Sequence, residues 1–150
     1  MTLRVEPRVI RGDAYLYDLA DELNIPGEFT LSGRALRWVL HSIRNQVEKN
    51  ISYKILSHLP PYLRLLYVDN WDVAEDHAHL DDTIILELRE MWENNPAGSN
   101  PRLAGKAVIK AVFRVMGKKI SYKDFEEIYN YLPEKYKHLL IEDAFPKQKV

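Results

Sequence analysis

Histidine and carboxylate side chains are concentrated in one short segment, Asp69–Asp82, whose sequence reads DNWDVAEDHAHLDD. It holds six acidic residues and two histidines. Imidazole and carboxylate groups together bind divalent metals, and His77 and His79 could do so here together with Asp76 or, alternatively, Glu75. The H-x-H spacing points the two rings apart on a helix, so this site requires an extended backbone. An alternative interpretation is an acidic linker whose aspartates cap the helix that follows.

Basic residues recur every four positions in the second half of the chain, at Lys106, Lys110 and Arg114. On a helix this spacing forms one stripe, which could bind the phosphates of a nucleic acid. The alternative is a solvated face whose charge is offset by acids such as Glu126 and Glu127. The chain has 21 basic and 22 acidic side chains and a formal charge of −1. Since nucleic-acid binders usually carry a clear basic excess, this balance argues against that function.

Aromatic residues are the other excess, with nine tyrosines, three tryptophans and four phenylalanines. Tyr62, Tyr67 and Trp71 follow the first of two Leu-Pro pairs in the sequence. Tyr and Trp are favoured at protein interfaces because they bury a large area and keep a polar group. These three residues are therefore predicted to contact a partner protein or a second copy of the chain. The alternative is that they fill the join between two halves of the fold.

Local motifs for catalysis are missing from the sequence: it has no G-x-x-x-x-G-K, no H-E-x-x-H and no G-x-S-x-G. We therefore predict no catalytic residue and no resident cofactor, although a site assembled from distant positions would leave no local motif. The interpretation we favour is a non-catalytic module for hetero- or self-association. A metal-binding protein or metal-dependent enzyme is the first alternative, and a nucleic-acid binder is the second.

The elements that must position these residues are helices, and they occur twice. Residues 35–68 align without a gap on residues 108–141, and this shift of 73 residues keeps nearly every apolar position. Leu36, Val39, Leu40, Ile43 and Val47 fall on Ile109, Val112, Phe113, Met116 and Ile120. Their spacing follows the period of a helix, and no segment shows the alternation of a strand. The sequence predicts an all-α fold in which two copies of a four-helix unit pack as one bundle-like domain.

The predicted boundaries are an N-terminal arm at residues 1–12, a first repeat at 13–72, an acidic linker at 73–80, a second repeat at 81–142 and a tail at 143–150. Asp13 and Ser121 are the predicted N-caps of the first and seventh helices, and Gly117 is the predicted end of the sixth. The prolines that follow Leu59 and Leu132 are predicted to break one helix and begin the next. The chain has no cysteine, which suits a reducing compartment, and its apolar runs are too short to span a membrane. Residues 1–12 lack the apolar core of a signal peptide. We therefore expect a soluble cytoplasmic protein.

Two stretches of the sequence carry a resemblance to a known family. The first is ILSHLPPYLRLLYVDNW at Ile55–Trp71, a helix followed by Leu-Pro and a leucine-rich turn that ends in aromatic residues. The second is AVFRVMGKKISYKDFEEIYNYLPEKYKHLL at Ala111–Leu140. Together they resemble the bacterial family of helical repeat proteins DUF2267, from about Tyr15 to Leu140. The resemblance implies a fold of helical repeats and supplies no cofactor, substrate or catalytic residue.

Overall fold

The described part of the chain is a bundle of helices. The computed structural model describes residues 7–71, 80–91 and 101–140, which form eight helices and contain no strand. The helices are α1 Pro7–Glu22, α2 Phe29–Arg44, α3 Lys49–His58, α4 Pro61–Val68, α5 Thr83–Met91, α6 Pro101–Lys119, α7 Tyr122–Tyr131 and α8 Glu134–Leu140. The predicted all-α fold class is therefore confirmed. None of the described helices combines the length and the apolar character needed to cross a membrane.

Helices α2 and α6 form the centre of the bundle. They pack against each other, and both α1 and α5 pack on the two of them. Helix α4 lies on α1 and α2, α8 lies on α6, and α3 packs against α7. The apolar stripe predicted on the two central helices is buried at Leu36, Val39, Leu40, Ile43, Val112, Phe113 and Met116. Burying one such side chain contributes about 1.5–3 kcal/mol, so these stripes decide which faces of the helices meet.

The two Leu-Pro pairs end one helix and begin the next. Leu59 and Leu132 are the C-caps of α3 and α7, and both have extended backbone, with ψ of 140° and 150°. The following proline imposes this conformation because its Cδ clashes with a helical residue before it. Pro61 then occupies the first turn of α4, where its missing N–H removes no hydrogen bond. The break predicted at each pair is confirmed.

One predicted helix start is wrong. Helix α1 begins at Pro7 and not at Asp13. Proline is favoured in the first turn of a helix. Residues 7–12 are therefore helical although they lack the apolar period on which the prediction depended. The N-cap predicted at Ser121 is confirmed, since its Oγ accepts a hydrogen bond from the N–H of Asp124 at 3.2 Å. The division into arm, repeats, linker and tail stays a prediction.

One predicted helix end is also wrong. Helix α6 does not stop at Gly117 but continues to Lys119. The N–H of Ile120 donates to the carbonyl of Met116 at 2.9 Å, so helical hydrogen bonding continues past the glycine. A glycine ends a helix when its backbone turns left-handed, and Gly27, between α1 and α2, is the described glycine with positive φ, at 84°.

Candidate functional site

The predicted metal ligands Asp76, His77 and His79 lie outside the described residues. Within the part of the chain that the structure describes, no group of three or more His, Asp or Glu side chains is placed to hold a metal ion. The metal site therefore stays a prediction, and the candidate site is built from the residues whose positions are known.

The acidic residues at the end of the same segment bind α2. Asp81 lies 2.9 Å from Nη2 of Arg34, and the indole N–H of Trp38 donates to Oδ1 of Asp82 at 2.9 Å. Hydrogen bonds from Thr83 and Arg34 hold the pKa of Asp81 below its usual value. These two aspartates therefore connect the start of α5 to the central helix.

The predicted basic stripe is not one open cationic surface. Arg114 and Lys118 both lie against the carboxylate of Glu22 on α1, with N–O distances of 3.6 and 3.2 Å. Lys106 is exposed at the other end of the stripe, and Lys110 is half-buried between them. Because a carboxylate of α1 already meets the Arg114 end, the geometry there is that of a contact between two helices.

The three aromatic residues predicted at a protein contact occupy different environments. Tyr67 is fully buried, with its hydroxyl 2.7 Å from Oγ of Ser52, and burial raises the pKa of Tyr67 to about 12. Tyr62 is half-buried and stacks on Tyr15, with ring centroids 5.9 Å apart. Trp71 is half-buried, and its ring meets that of Tyr67 edge-on at 6.1 Å. Tyr67 is therefore a core residue in this fold, whereas Tyr62 and Trp71 reach the surface.

A buried arginine on α2 holds the C-terminal end of α4. The Arg44 side chain has its Nη1 2.6 Å from the carbonyl of Tyr67 and 2.9 Å from that of Asp69, and it donates to both. The last carbonyls of a helix have no partner within the helix and carry partial negative charge, which favours a cation there. The ring centroid of Trp71 lies 5.8 Å from Cζ of Arg44. Nε and Nη2 of Arg44 are buried and find no hydrogen-bond partner among the described residues.

His41 makes a similar contact beside Arg44. Its Nε2 lies 2.7 Å from the carbonyl of Leu66, and because a carbonyl can only accept, this nitrogen carries the proton. Burial lowers the pKa of His41 to about 4, so the imidazole is neutral at pH 7. On the exposed side, Arg37 pairs with Asp69 at 2.9 Å. These contacts fix α4, and the residues on its outer side, to the central helix.

The outer side of α3 and α4 is apolar. Leu65, Tyr53 and Val68 are 69 %, 53 % and 40 % exposed. With Leu56 they line an open depression of about 530 Å³. The ring of Trp71 borders this depression through its contact with Tyr53, at 5.8 Å between centroids. We define the α3–α4 face as the residues that line the depression, Tyr53, Leu56, Ser57, Arg64, Leu65 and Val68.

The α3–α4 face has the spacing and charge of a groove that binds a helix. Tyr53 and Leu56 are three residues apart on α3, and Leu65 and Val68 are three apart on α4, so each helix presents one apolar ridge. The two helices carry three lysine or arginine residues and no aspartate or glutamate. The three basic residues are exposed at Lys49, Lys54 and Arg64. The result is an apolar surface with a positive rim.

Residues 13–139 match the family described as Uncharacterized conserved protein (DUF2267). The chain belongs to this family. The match covers α2 to α7 and nearly all of α8, so the recognition based on the two Leu-Pro stretches is confirmed. A comparison with curated proteins finds no match. The family description states no activity.

The sequence pattern did not single out Leu65, Val68 or Tyr53. In α4 the helical period assigns Leu63 to the core, where it is buried, and Tyr67, which was predicted at a protein contact, is buried as well. Leu65 and Val68 lie outside that face, and the helical period gives no reason for apolar side chains there. The signal that could have found them is the combination of apolar residues outside the core stripe with a stretch that lacks acidic side chains.

Proposed function

We propose that the chain is a non-catalytic helical module that binds another protein through the α3–α4 face, and that the partner presents an acidic, amphipathic helix. The observation that carries the proposal is the exposure of Tyr53, Leu65 and Val68 side by side on two packed helices. Leaving one large apolar side chain in water costs about 1.5–3 kcal/mol relative to burying it, and contiguous exposed apolar residues mark interaction sites. Trp71 extends the same surface.

The chemistry of the face selects the kind of partner. Apolar ridges on two neighbouring helices accept the apolar stripe of a third helix, whose anchors recur at i, i+3, i+4 and i+7. The rim formed by Lys49, Lys54 and Arg64 favours a partner with carboxylates beside those anchors. A second copy of the chain fits less well, because a two-fold contact through this face would place the two positive rims against each other.

The buried contacts of α4 support a binding surface that is formed in advance. Arg44 and His41 attach the carbonyls at the end of α4 to α2, and Tyr67 anchors the same turn to Ser52 on α3. A surface that is already ordered loses less conformational entropy when a partner binds. The two ridges of the α3–α4 face are therefore held at a fixed separation without the partner.

We also propose that the two halves are copies of one four-helix unit. Helices α3 and α7 begin 73 residues apart, at Lys49 and Tyr122, and end 73 residues apart, at His58 and Tyr131. Helices α4 and α8 begin at Pro61 and Glu134, with the same separation. The packing of α1 on α2 and α6 has its counterpart in the packing of α5 on α6 and α2. These correspondences support the repeat predicted from the sequence.

The repeat supplies an internal comparison for the α3–α4 face. A shift of 73 residues takes Tyr53 to Glu126 and Leu65 to His138, and all four side chains are exposed. At these two positions the surface is thus apolar in the first half and polar in the second, while the stripe positions of α2 and α6 are apolar in both. This difference favours binding over packing as the reason for the exposed apolar residues.

A site-specific photo-cross-linker tests the proposal in living cells. We would replace Leu65 with a benzoylphenylalanine residue, express the full chain in its native host and irradiate the cells. The matched control carries the same residue at His138, the equivalent position of the second half. The expected result is a discrete adduct from position 65 that position 138 does not form, with an acidic helical segment at the site of attachment. Melting curves of both variants show that each remains folded.

Three results would overturn the proposal in different ways. If position 65 gives no adduct, or gives the same adducts as position 138, the α3–α4 face is not a binding surface. An adduct of twice the mass of the chain would replace the hetero-partner with self-association. A partner attached through a basic segment would contradict the charge argument while leaving the face in place.

The cellular location and the alternative functions stay predictions. We expect the module to act in the cytoplasm, because a chain without cysteine suits a reducing compartment. The metal-dependent alternative depends on Asp76, His77 and His79, and elemental analysis of the purified protein tests it directly.

A further inference from the structure

A second surface groove lies between α2, α5 and α6, away from the α3–α4 face. Its apolar walls are Trp38, Ile85, Leu86 and Ile109, and Gly105 lies at its floor. The groove has a volume of about 580 Å³, which is within the range of sites that bind small molecules. Leu86 is 48 % exposed, so this wall presents its aliphatic side chain to solvent.

The polar groups of the groove are already engaged, with one exception. Asp82 accepts the hydrogen bond from the Trp38 indole, and Thr83 accepts one from Arg34 at 3.1 Å. Lys106 lines the groove and is exposed, and its ammonium group pairs with no other side chain of the described residues. The groove therefore offers an apolar surface with the ammonium group of Lys106 at its edge.

The groove borders a residue of α6 that is more exposed than its counterpart on α2. In the proposed repeat, Ile109 corresponds to Leu36, which is buried beneath the 16-residue α1, whereas Ile109 is only partly buried beside the nine-residue α5. At the floor, a Cβ on Gly105 would lie 3.6 Å from Cη2 of Trp38, so the glycine leaves the indole ring open to the groove. The indole N–H bond to Asp82 holds that ring in place.

We infer that this groove binds a small amphipathic carboxylate, such as a medium-chain fatty acid. The alkyl chain lies along Trp38, Ile85, Leu86 and Ile109, and the carboxylate pairs with the ammonium of Lys106. Asp82 is the other charged residue of the lining, and one of its carboxylate oxygens accepts the hydrogen bond from the Trp38 indole. The negative charge of Asp82 disfavours a ligand whose own negative charge extends toward α5. The site is independent of the proposed protein contact, since it shares no residue with the α3–α4 face.

Calorimetric titration of the full chain with decanoate tests this inference, with decanol and decyltrimethylammonium as probes of equal chain length. Decanoate is expected to bind in a saturable manner and about tenfold more tightly than decanol, the advantage of one charge-assisted contact. Lys106→Gln should remove that advantage. Lys123→Gln, which changes an exposed lysine on α7, should leave it intact. In an NMR spectrum the indole signal of Trp38 should move on binding, while that of Trp71 stays in place.

Two further variants separate loss of the groove from loss of the fold. Gly105→Leu fills the floor, and Leu86→Glu places a negative charge on an exposed wall; each should abolish decanoate binding without lowering the melting temperature. The inference is overturned if decanoate shows no saturable binding, if Lys106→Gln binds as tightly as the parent, or if the Trp71 signal moves in place of the Trp38 signal. Tighter binding of the cationic probe would also contradict it.

Discussion

The imidazole ring of His58 stacks on the phenol ring of Tyr131, with centroids 6.4 Å apart and planes inclined by 26°. The two residues are 73 positions apart, which is the shift of the proposed repeat, so they occupy the same position of the proposed unit. Equivalent positions meet each other when a two-fold axis passes between them. Nδ1 of His58 also lies 2.9 Å from Oδ1 of Asp124, and this bond lowers the pKa of that carboxyl. The contact of α3 with α7 thus joins the two proposed halves, beside the packing of α1 and α2 on α6.

Acidification should destabilise the fold through His41. Its pKa is about 4 in the folded chain and about 6.5 when unfolded, so the unfolded chain binds one more proton between these values. The neutral imidazole contributes its full stability above pH 6.5, and this contribution is lost as the pH falls toward 4. The free energy of unfolding should therefore fall by about 2 kcal/mol between pH 7 and pH 4.5. Urea unfolding at the two pH values should therefore show a smaller pH effect in His41→Gln. His138→Gln, at an exposed histidine, should keep the full effect; equal slopes in all three proteins would contradict the argument.

Replacing the two arginines at the end of α4 should have unequal consequences. Arg44→Ala leaves two helix-terminal carbonyls without their donor and opens a cavity beneath Trp71, so we expect a loss of about 3 kcal/mol in the free energy of unfolding. Arg37→Ala removes an exposed pair with Asp69, and such pairs contribute less than about 1 kcal/mol. Denaturant titration of both variants measures the difference. Similar losses would show that the buried guanidinium has no special role.

The buried hydroxyl of Tyr67 should contribute measurably to stability. Tyr67→Phe leaves Oγ of Ser52 buried without this partner, and we expect a loss of about 1–2 kcal/mol. In a double-mutant cycle, Ser52→Ala should cost little once Tyr67→Phe is present, because the shared bond is already gone. Tyr53→Phe alters an exposed hydroxyl and should change stability by less than about 0.5 kcal/mol. Additive effects at Ser52 and Tyr67 would contradict the bond.

Replacing either of two glycines with alanine should change the stability of the fold, in opposite directions at the two positions. Gly105 lies inside α6, and an added Cβ meets Trp38 at an ordinary contact distance, so Gly105→Ala should stabilise the fold by about 0.5–1 kcal/mol. Gly27 has a φ of 84°, a conformation that strains a residue with a Cβ, so Gly27→Ala should destabilise it by about 1 kcal/mol. Thermal unfolding of the two variants checks both signs. A stabilising Gly27→Ala would contradict the turn geometry.

The sequence alone determined the helices and much of the core. The apolar period placed the stripe of Leu36, Val39 and Ile43 on one side of α2, and all three are buried. Proline and capping side chains act on their immediate neighbours, so the breaks at Leu59 and Leu132 and the cap at Ser121 were also readable. The exceptions are Gly117, where the helix continues, and Pro7, where it begins early, because a local signal permits a boundary without imposing it.

The tertiary structure alone decided which side chains are buried and which are exposed to solvent. Tyr67 and Trp71 look alike in the sequence, but Tyr67 is covered by α3 while Trp71 stays half-exposed, and no period distinguishes them. Leu65 and Val68 lie off the core stripe, and they form a surface because none of the described helices covers them. Likewise, Arg44 is buried because the end of α4 is placed over it. Periodicity records which side of a helix is apolar, whereas the neighbour that covers that side is set by packing between segments far apart in the chain.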